Sequence, residues 1–265
     1  MTVLIIGCGN LGEIILNGLL KKKKKVVVFD KRKIAINKNK LNFEFVNNLN
    51  DVTWNGISII MICVKPIDSM DLIKKLKNNI LSKHIIMSFV AGLKVKKISK
   101  IIGNKCTIVR VMPNIFMSSG NSATGFFSEQ NDKTIRNKIS KLFEYFGLVI
   151  WLDNEKKLDF FTAMLGGGPA YFLFILFCFS NLFKINGFKS RESLELLETL
   201  MKGVLVQIKS KNFNFQKTIE KVASKGGTTE EALKVFAKND QLFKIITNGI
   251  KAASLKSRII SSKIR

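Results

Sequence analysis

The sequence predicts an α/β fold: an N-terminal doubly wound sheet of Rossmann type, followed by an all-α domain. Three observations carry this. Short β-branched runs alternate with helix-length stretches up to Asp153, a glycine-rich turn follows the first run at once, and the strand signal stops beyond Asp153.

Taken in order, Val3–Ile6 reads as the first strand and Leu11–Leu20 as the first helix. Val26–Phe29, a shorter Phe43–Val46, Ile57–Val64, Ile85–Phe89, Cys106–Val111 and Leu148–Leu152 follow as strands. Most are continuous apolar runs, as expected where helices cover both faces of a parallel sheet. Ser69–Leu76 and Asp132–Phe146 supply helices between them. The second half reads as helices over Glu155–Met164, Ala170–Ile185, Arg191–Ile208, Phe215–Ala223, Thr229–Ala237 and Asp240–Ile260, with glycine-rich breaks between several. The expected division is a dinucleotide-binding domain over 1–153 and a helical domain over 154–265.

Composition narrows the class. With 265 residues, 46% hydrophobic and 24% charged, the chain reads as globular, which excludes disorder and small disulfide scaffolds. It carries 44 basic against 19 acidic residues, a formal charge of +25, yet only six of the basic residues are arginine. Lysine is a point charge without the bidentate fork that grips phosphate, so the surplus reads as solvated surface rather than a nucleic-acid interface. The run Lys21–Lys25 fits this, falling on the amino edge of the sheet, opposite the ligand edge of such folds.

No membrane span or targeting segment is expected. The most apolar stretch, Tyr171–Phe183, falls short of the ~20 residues that cross a bilayer and reads as a buried helix. Its phenylalanines at 172, 174, 177, 179 and 183 need cover on every side, and homodimerisation supplies it. Cys8, Cys63, Cys106 and Cys178 are too scattered for a metal or disulfide pattern, so no metal is expected and a reducing cytoplasm is. His84, the lone histidine, is read as a surface or strand-edge residue without a role.

The chemistry concentrates in two stretches. Gly7-Cys8-Gly9-Asn10-Leu11-Gly12 follows a strand and opens a helix, the arrangement that seats a dinucleotide pyrophosphate on free helix N–H groups. At the end of the second strand, Asp30 suits ribose hydroxyls whereas Lys31, Arg32 and Lys33 suit a 2′-phosphate. NADPH is the expected cofactor, with NADH left open. Later, Ser224 and Gly226-Gly227-Thr228-Thr229 precede a helix, where successive N–H groups can converge on a carboxylate. A capping box from Thr228 to Glu231 would order that helix start.

Over essentially its whole length the sequence resembles pyrroline-5-carboxylate reductases, the enzymes of the last step of proline synthesis. The resemblance rests on Gly7–Gly12, Val64-Lys65-Pro66, Ala91-Gly92, Arg110-Val111-Met112-Pro113-Asn114, Thr162-Ala163, Gly166 with Gly168-Pro169-Ala170-Tyr171, and Ser224 with Gly226–Thr229. It implies an NAD(P)H-dependent oxidoreductase that reduces the C=N bond of 1-pyrroline-5-carboxylate to give L-proline. It also implies that Cys63, Val64, Lys65, Pro66, Phe89, Val90, Ala91 and Asn114 join the glycine loop around the cofactor. Glu155, Ser224, Gly226, Gly227, Thr228 and Thr229 would face the substrate, with Thr229 catalytic through its hydroxyl. In such enzymes the substrate pocket forms where two helical domains meet, which requires a dimer; larger rings of dimers stay open.

Departures from the family pattern lie at Ile115-Phe116, Leu165, Gly167, Phe177 and Lys225. They remove prolines and hydroxyls, and an acidic residue at 177. Enrichment in Lys, Asn, Ile and Phe is what codon drift toward A and T would produce. Two alternatives stand beside the expected reaction: a reductase of this architecture acting on another cyclic imine or a small hydroxy acid, and a catalytically silent nucleotide-binding protein.

Overall fold

The computed structural model describes residues 1–32 and 43–264. Its first part runs β1 (Thr2–Ile6), α1 (Asn10–Lys21), β2 (Lys25–Phe29), β3 (Glu44–Val46), β4 (Ile57–Ile62), α2 (Pro66–Leu76), β5 (Ile85–Ser88), α3 (Val95–Ile102), β6 (Thr107–Met112), β7 (Ser122–Phe127), α4 (Lys133–Phe143) and β8 (Gly147–Trp151). These strands form one sheet in the order β3-β2-β1-β4-β5-β6-β7-β8. All neighbours pair in parallel except β6 and β7.

Alternation along the strands divides the core between the two faces. Leu4, Ile6, Ile60 and Ile62 meet α2 and α3 residues such as Ile73, Leu76 and Ile98 on one side. Val3, Ile5, Ile59 and Met61 meet Ile15, Leu16 and Ile139 of α1 and α4 on the other.

Two elements lie outside the sequence expectation. Strand β7 reads Ser-Ala-Thr-Gly-Phe-Phe, too small and polar to be read as a buried strand. Its buried hydroxyls satisfy each other, Ser122 Oγ lying 3.1 Å from Thr124 Oγ1. Helix α3 is lysine-rich, and only Val95, Ile98 and Ile102 mark its buried stripe. His84, expected at the surface or a strand edge, lies just ahead of β5 but is buried, with Nδ1 accepting from the Leu81 N–H and Nε2 facing the Trp54 carbonyl, each at 3.1 Å.

Beyond the sheet the chain is helical, with α5 (Glu155–Phe161), a π-helical turn (Thr162–Gly166), α6 (Gly168–Ile185), α7 (Ser190–Ile208), α8 (Phe215–Val222), α9 (Thr228–Ala237) and α10 (Gln241–Lys263). The chain forms two compact units: Met1–Pro169 with Ala252–Arg265, and Ala170–Lys251. Strands stop near Asp153, but α5 packs with the sheet, burying Leu158 and Phe161 over Gly125. The C-terminal end of α10 also belongs to the first unit. Ile264 is buried in the core with Val95 and Ile98, and its carbonyl accepts from Lys97 Nζ at 2.6 Å.

In the second unit, the aromatic face of α6 stays largely exposed, consistent with Tyr171–Phe183 being a helix that needs cover from a second copy rather than from its own core. Phe172, Phe174 and Phe177 are 65%, 66% and 55% exposed. The helical run Glu155–Ile185 has the length and composition of a bilayer span, with mean hydropathy 1.7 in its most apolar stretch.

Candidate active site

The sheet's hydrogen bonding continues one residue past the strand ends. Gly7 donates to the Phe29 carbonyl (2.8 Å), Cys63 to Ile6 (2.8 Å) and Phe89 to Ile62 (3.0 Å). This aligns the glycine loop, Asp30–Arg32, Cys63–Pro66 and Phe89–Ala91 along one carboxyl edge, with Asn114 two residues beyond β6. Residues far apart in sequence are thereby gathered where doubly wound folds bind ligands.

The three loop glycines answer different demands. Gly7 has φ +90°, and a Cβ there would lie 2.9 Å from Val64 Cγ1 and 3.0 Å from the Cys63 carbonyl oxygen. At Gly12 a Cβ would fall 2.2 Å from the Gly7 carbonyl oxygen. Gly9 has an ordinary φ of −78° and nothing within 4 Å of its Cβ position, so no neighbour in the fold requires glycine there. Gly9 is also the N-cap of α1, and no side chain caps that end. The open cradle and the uncapped N–H groups fit a pyrophosphate.

Other expected cofactor residues take narrower parts. The Cys8 side chain is buried, its thiol pushed up to about 11 mainly by burial, and its N–H donates to Asp30 Oδ2 at 2.8 Å. Cys63 is likewise raised by burial. Phe89 stacks on Phe143 with ring centroids 6.0 Å apart and Val90 is in the core, so only their backbone faces the edge. Lys65, Lys31 and Arg32 are exposed, and Pro66 is the first residue of α2. Lys33 lies outside the described residues.

Asn114 is a brace. Its Oδ1 accepts from the Phe116 N–H (3.1 Å) and its Nδ2 donates to the Leu165 carbonyl (3.2 Å), joining the end of β6 to the π-helical turn. Glu155 is similarly engaged: Oε1 accepts from the Val95 N–H (3.0 Å) and from Arg110 Nη1 (3.3 Å). Arg110, 3% exposed, also binds Asp159 Oδ1 at 2.9 Å. Asp159 escaped the sequence reading. Its signal was present, a second carboxylate one turn after Glu155 on a helix facing an arginine set in an apolar strand.

In the second unit, Gly226 has φ +75°, and the Gly227 N–H closes a turn on the Ser224 carbonyl (2.9 Å). A Cβ on Gly227 would lie 2.7 Å from Ser224 Oγ. The Gly226 N–H donates to Glu230 Oε2 at 2.6 Å. Both glycine N–H groups are therefore spent inside the turn, and the first-turn N–H groups of α9, at Thr228, Thr229 and Glu230, have no acceptor among the described residues and stand open to an anion. The expected Thr228–Glu231 box is not formed: α9 begins at Thr228 with Gly227 as N-cap, so Glu230, not Glu231, occupies the third helical position and reaches back. The Thr229 hydroxyl has no partner among the described residues.

A family model described as pyrroline-5-carboxylate reductase dimerisation matches residues 155–260. The pyrroline-5-carboxylate reductase of Aquifex aeolicus is 31% identical over 242 residues, covering 88% of each chain. The chain belongs to the pyrroline-5-carboxylate reductase family. The family's Haemophilus influenzae member is 29% identical, again over 88% of each chain. Among solved structures, the Coxiella burnetii pyrroline-5-carboxylate reductase superposes with TM-score 0.85 at 26% identity, covering 98% of both chains. The Plasmodium falciparum pyrroline carboxylate reductase with NADP bound reaches 0.86 over 98% of both chains; at 24% identity this is a likeness of fold. A ketopantoate reductase (PanE/ApbA) model matches residues 3–131, most of the sheet unit.

Proposed function

We infer that the chain reduces 1-pyrroline-5-carboxylate to L-proline, with NADPH preferred, as a homodimer in the cytoplasm. The observation that carries this reading is Gly9, glycine for no internal reason at the one loop position where a dinucleotide must come close, in a chain whose relatives are named for this reaction. A bound reduced nicotinamide supplies the hydride for the imine carbon. The uncapped start of α1 holds the pyrophosphate, while Lys31 and Arg32 meet the 2′-phosphate. The Thr228 and Thr229 N–H groups hold the substrate carboxylate, and the Thr229 hydroxyl orients the protonated ring nitrogen. A protonated iminium is already electrophilic, so positioning replaces a strong side-chain acid.

Self-association rests on α6 and on the dimerisation model over 155–260. A second copy explains the bare phenylalanines better than lipid does, because the run's first turns carry Glu155 and Asp159 bound to Arg110 against the sheet. Four free thiols agree with a reducing compartment.

Steady-state reduction of pyrroline-5-carboxylate, compared with NADPH and NADH, tests the reading. Turnover with a higher kcat/KM for NADPH is expected, with none on small hydroxy acids. Thr229→Ala should lower kcat by about tenfold or more, as for loss of a positioned hydrogen bond. No turnover of this imine would sink the assignment.

A further inference from the structure

The acidic residue at the end of β2 is, by position, the ribose reader of a dinucleotide fold. The geometry here points elsewhere: we propose that Asp30 is a positioning residue that holds the glycine loop open for the pyrophosphate, leaving the cofactor's 2′ substituent to be read by the neighbouring cations alone. This rests on the dinucleotide-binding reading of the site.

Both carboxylate oxygens already face inward donors. Oδ2 accepts from the Cys8 N–H at 2.8 Å, and Oδ1 accepts from the Arg32 N–H at 2.9 Å. The side chain is only 7% exposed, leaving almost no surface for ribose hydroxyls. Burial disfavours its charge, but the Arg32 and Cys8 N–H groups outweigh that and hold its pKa below the ordinary carboxylate value. Cys8, which Asp30 grips, lies between Gly7 at φ +90° and the open Gly9, so the bond sets the path of the loop at the point where backbone must stand clear of the phosphates.

Arg32 is bound differently. Its Nε and Nη2 reach Asp30 at 3.4 and 3.5 Å, the longest contacts of the group, and its side chain is 77% exposed. Asp30 keeps its two short backbone donors if the guanidinium swings away. The acid and the cation are therefore separable: one sets loop shape, the other reads the phosphate.

Titration of the purified full chain with NADPH and with NADH, without imine substrate, separates the two. Asp30→Ala should weaken both cofactors by the same factor, about tenfold, as expected for loss of charge-assisted hydrogen bonds. The ratio of the two affinities should stay within about twofold. Asp30→Asn retains one acceptor, so it should fall between wild type and Asp30→Ala, and it serves if the alanine variant does not fold. Arg32→Ala should instead lower NADPH affinity selectively. A selective loss of NADH binding in the Asp30 variants would overturn the proposal, because the carboxylate would then be reading the ribose. Unchanged affinities in those variants would also overturn it. Wild-type protein that binds neither dinucleotide would overturn both the proposal and the reading beneath it. Wild-type protein that binds them without reducing the imine would sink only the reaction, and equal losses in the Asp30 variants would still support the proposal.

Discussion

Gly9 and Gly12 stand three residues apart and are glycine for different reasons, which single substitutions can separate. A methyl at Gly12 would press on the backbone oxygen of Gly7 at 2.2 Å, which cannot yield as a flexible side chain would. Gly12→Ala should therefore cost about 1–3 kcal/mol of stability, the usual range for overpacking. Gly9→Ala should leave the thermal midpoint nearly unchanged and raise the Kd for NADPH, so melting curves and cofactor titrations should rank the pair in opposite orders. The motif showed all three glycines in sequence, but the contacts each Cβ would meet are facts of the folded loop: Val64 and Cys63 beyond β4 for Gly7, the Gly7 carbonyl oxygen for Gly12 and open space for Gly9. His84 gives a second residue-scale prediction. Burial lowers its pKa, so the unfolded chain takes up a proton, near pH 6.5, before the folded one does. Stability attributable to it is complete above that value and is lost as pH falls through the folded pKa. The thermal midpoint should drop as pH falls below about 6.5, and His84→Gln should flatten that drop.

At the scale of elements, α5 is held to the sheet by a charged cluster as well as by packing. Arg110 sits between Glu155 and Asp159, and Leu158 and Phe161 close over Gly125. Arg110→Met would leave two carboxylates facing each other in a nearly dry site, at a cost of about 3–5 kcal/mol. Adding Glu155→Gln and Asp159→Asn should recover much of that loss in urea melts; no recovery would mean that arginine packing, not charge, holds the joint. The same region shows where the sequence was legible. Apolar β-branched runs identified the parallel strands, and 3.6-residue periodicity identified the helices of the second half. Strand β7 escaped because three of its four buried positions are Ser122, Thr124 and Gly125, whose partners include each other and α5, and only Phe126 is apolar and large. The ion pair of Glu155 was hidden for a related reason: a carboxylate's partner, here an arginine 45 residues away, is a tertiary fact.

At the scale of the molecule, a formal charge of +25 and a bare phenylalanine face coexist in one chain. The apolar segment was plain in the sequence, but whether its own chain would cover it depends on how many other helices pack against it, and here too few do. If copies pair through α6, like charges are brought together while apolar surface is buried. The two effects respond differently to salt: the burial term changes little, whereas repulsion between exposed lysines is screened as the Debye length falls from about 10 Å at 0.1 M to about 3 Å at 1 M. Dimer affinity measured by sedimentation should therefore rise with salt, the reverse of an interface built on ion pairs. Phe174→Glu with Phe177→Glu, placing charge on two half-exposed rings 6.4 Å apart, should give monomers. Those monomers should still bind NADPH through the sheet edge while losing turnover. Retained turnover in a strictly monomeric variant would show that the reaction does not need the second copy.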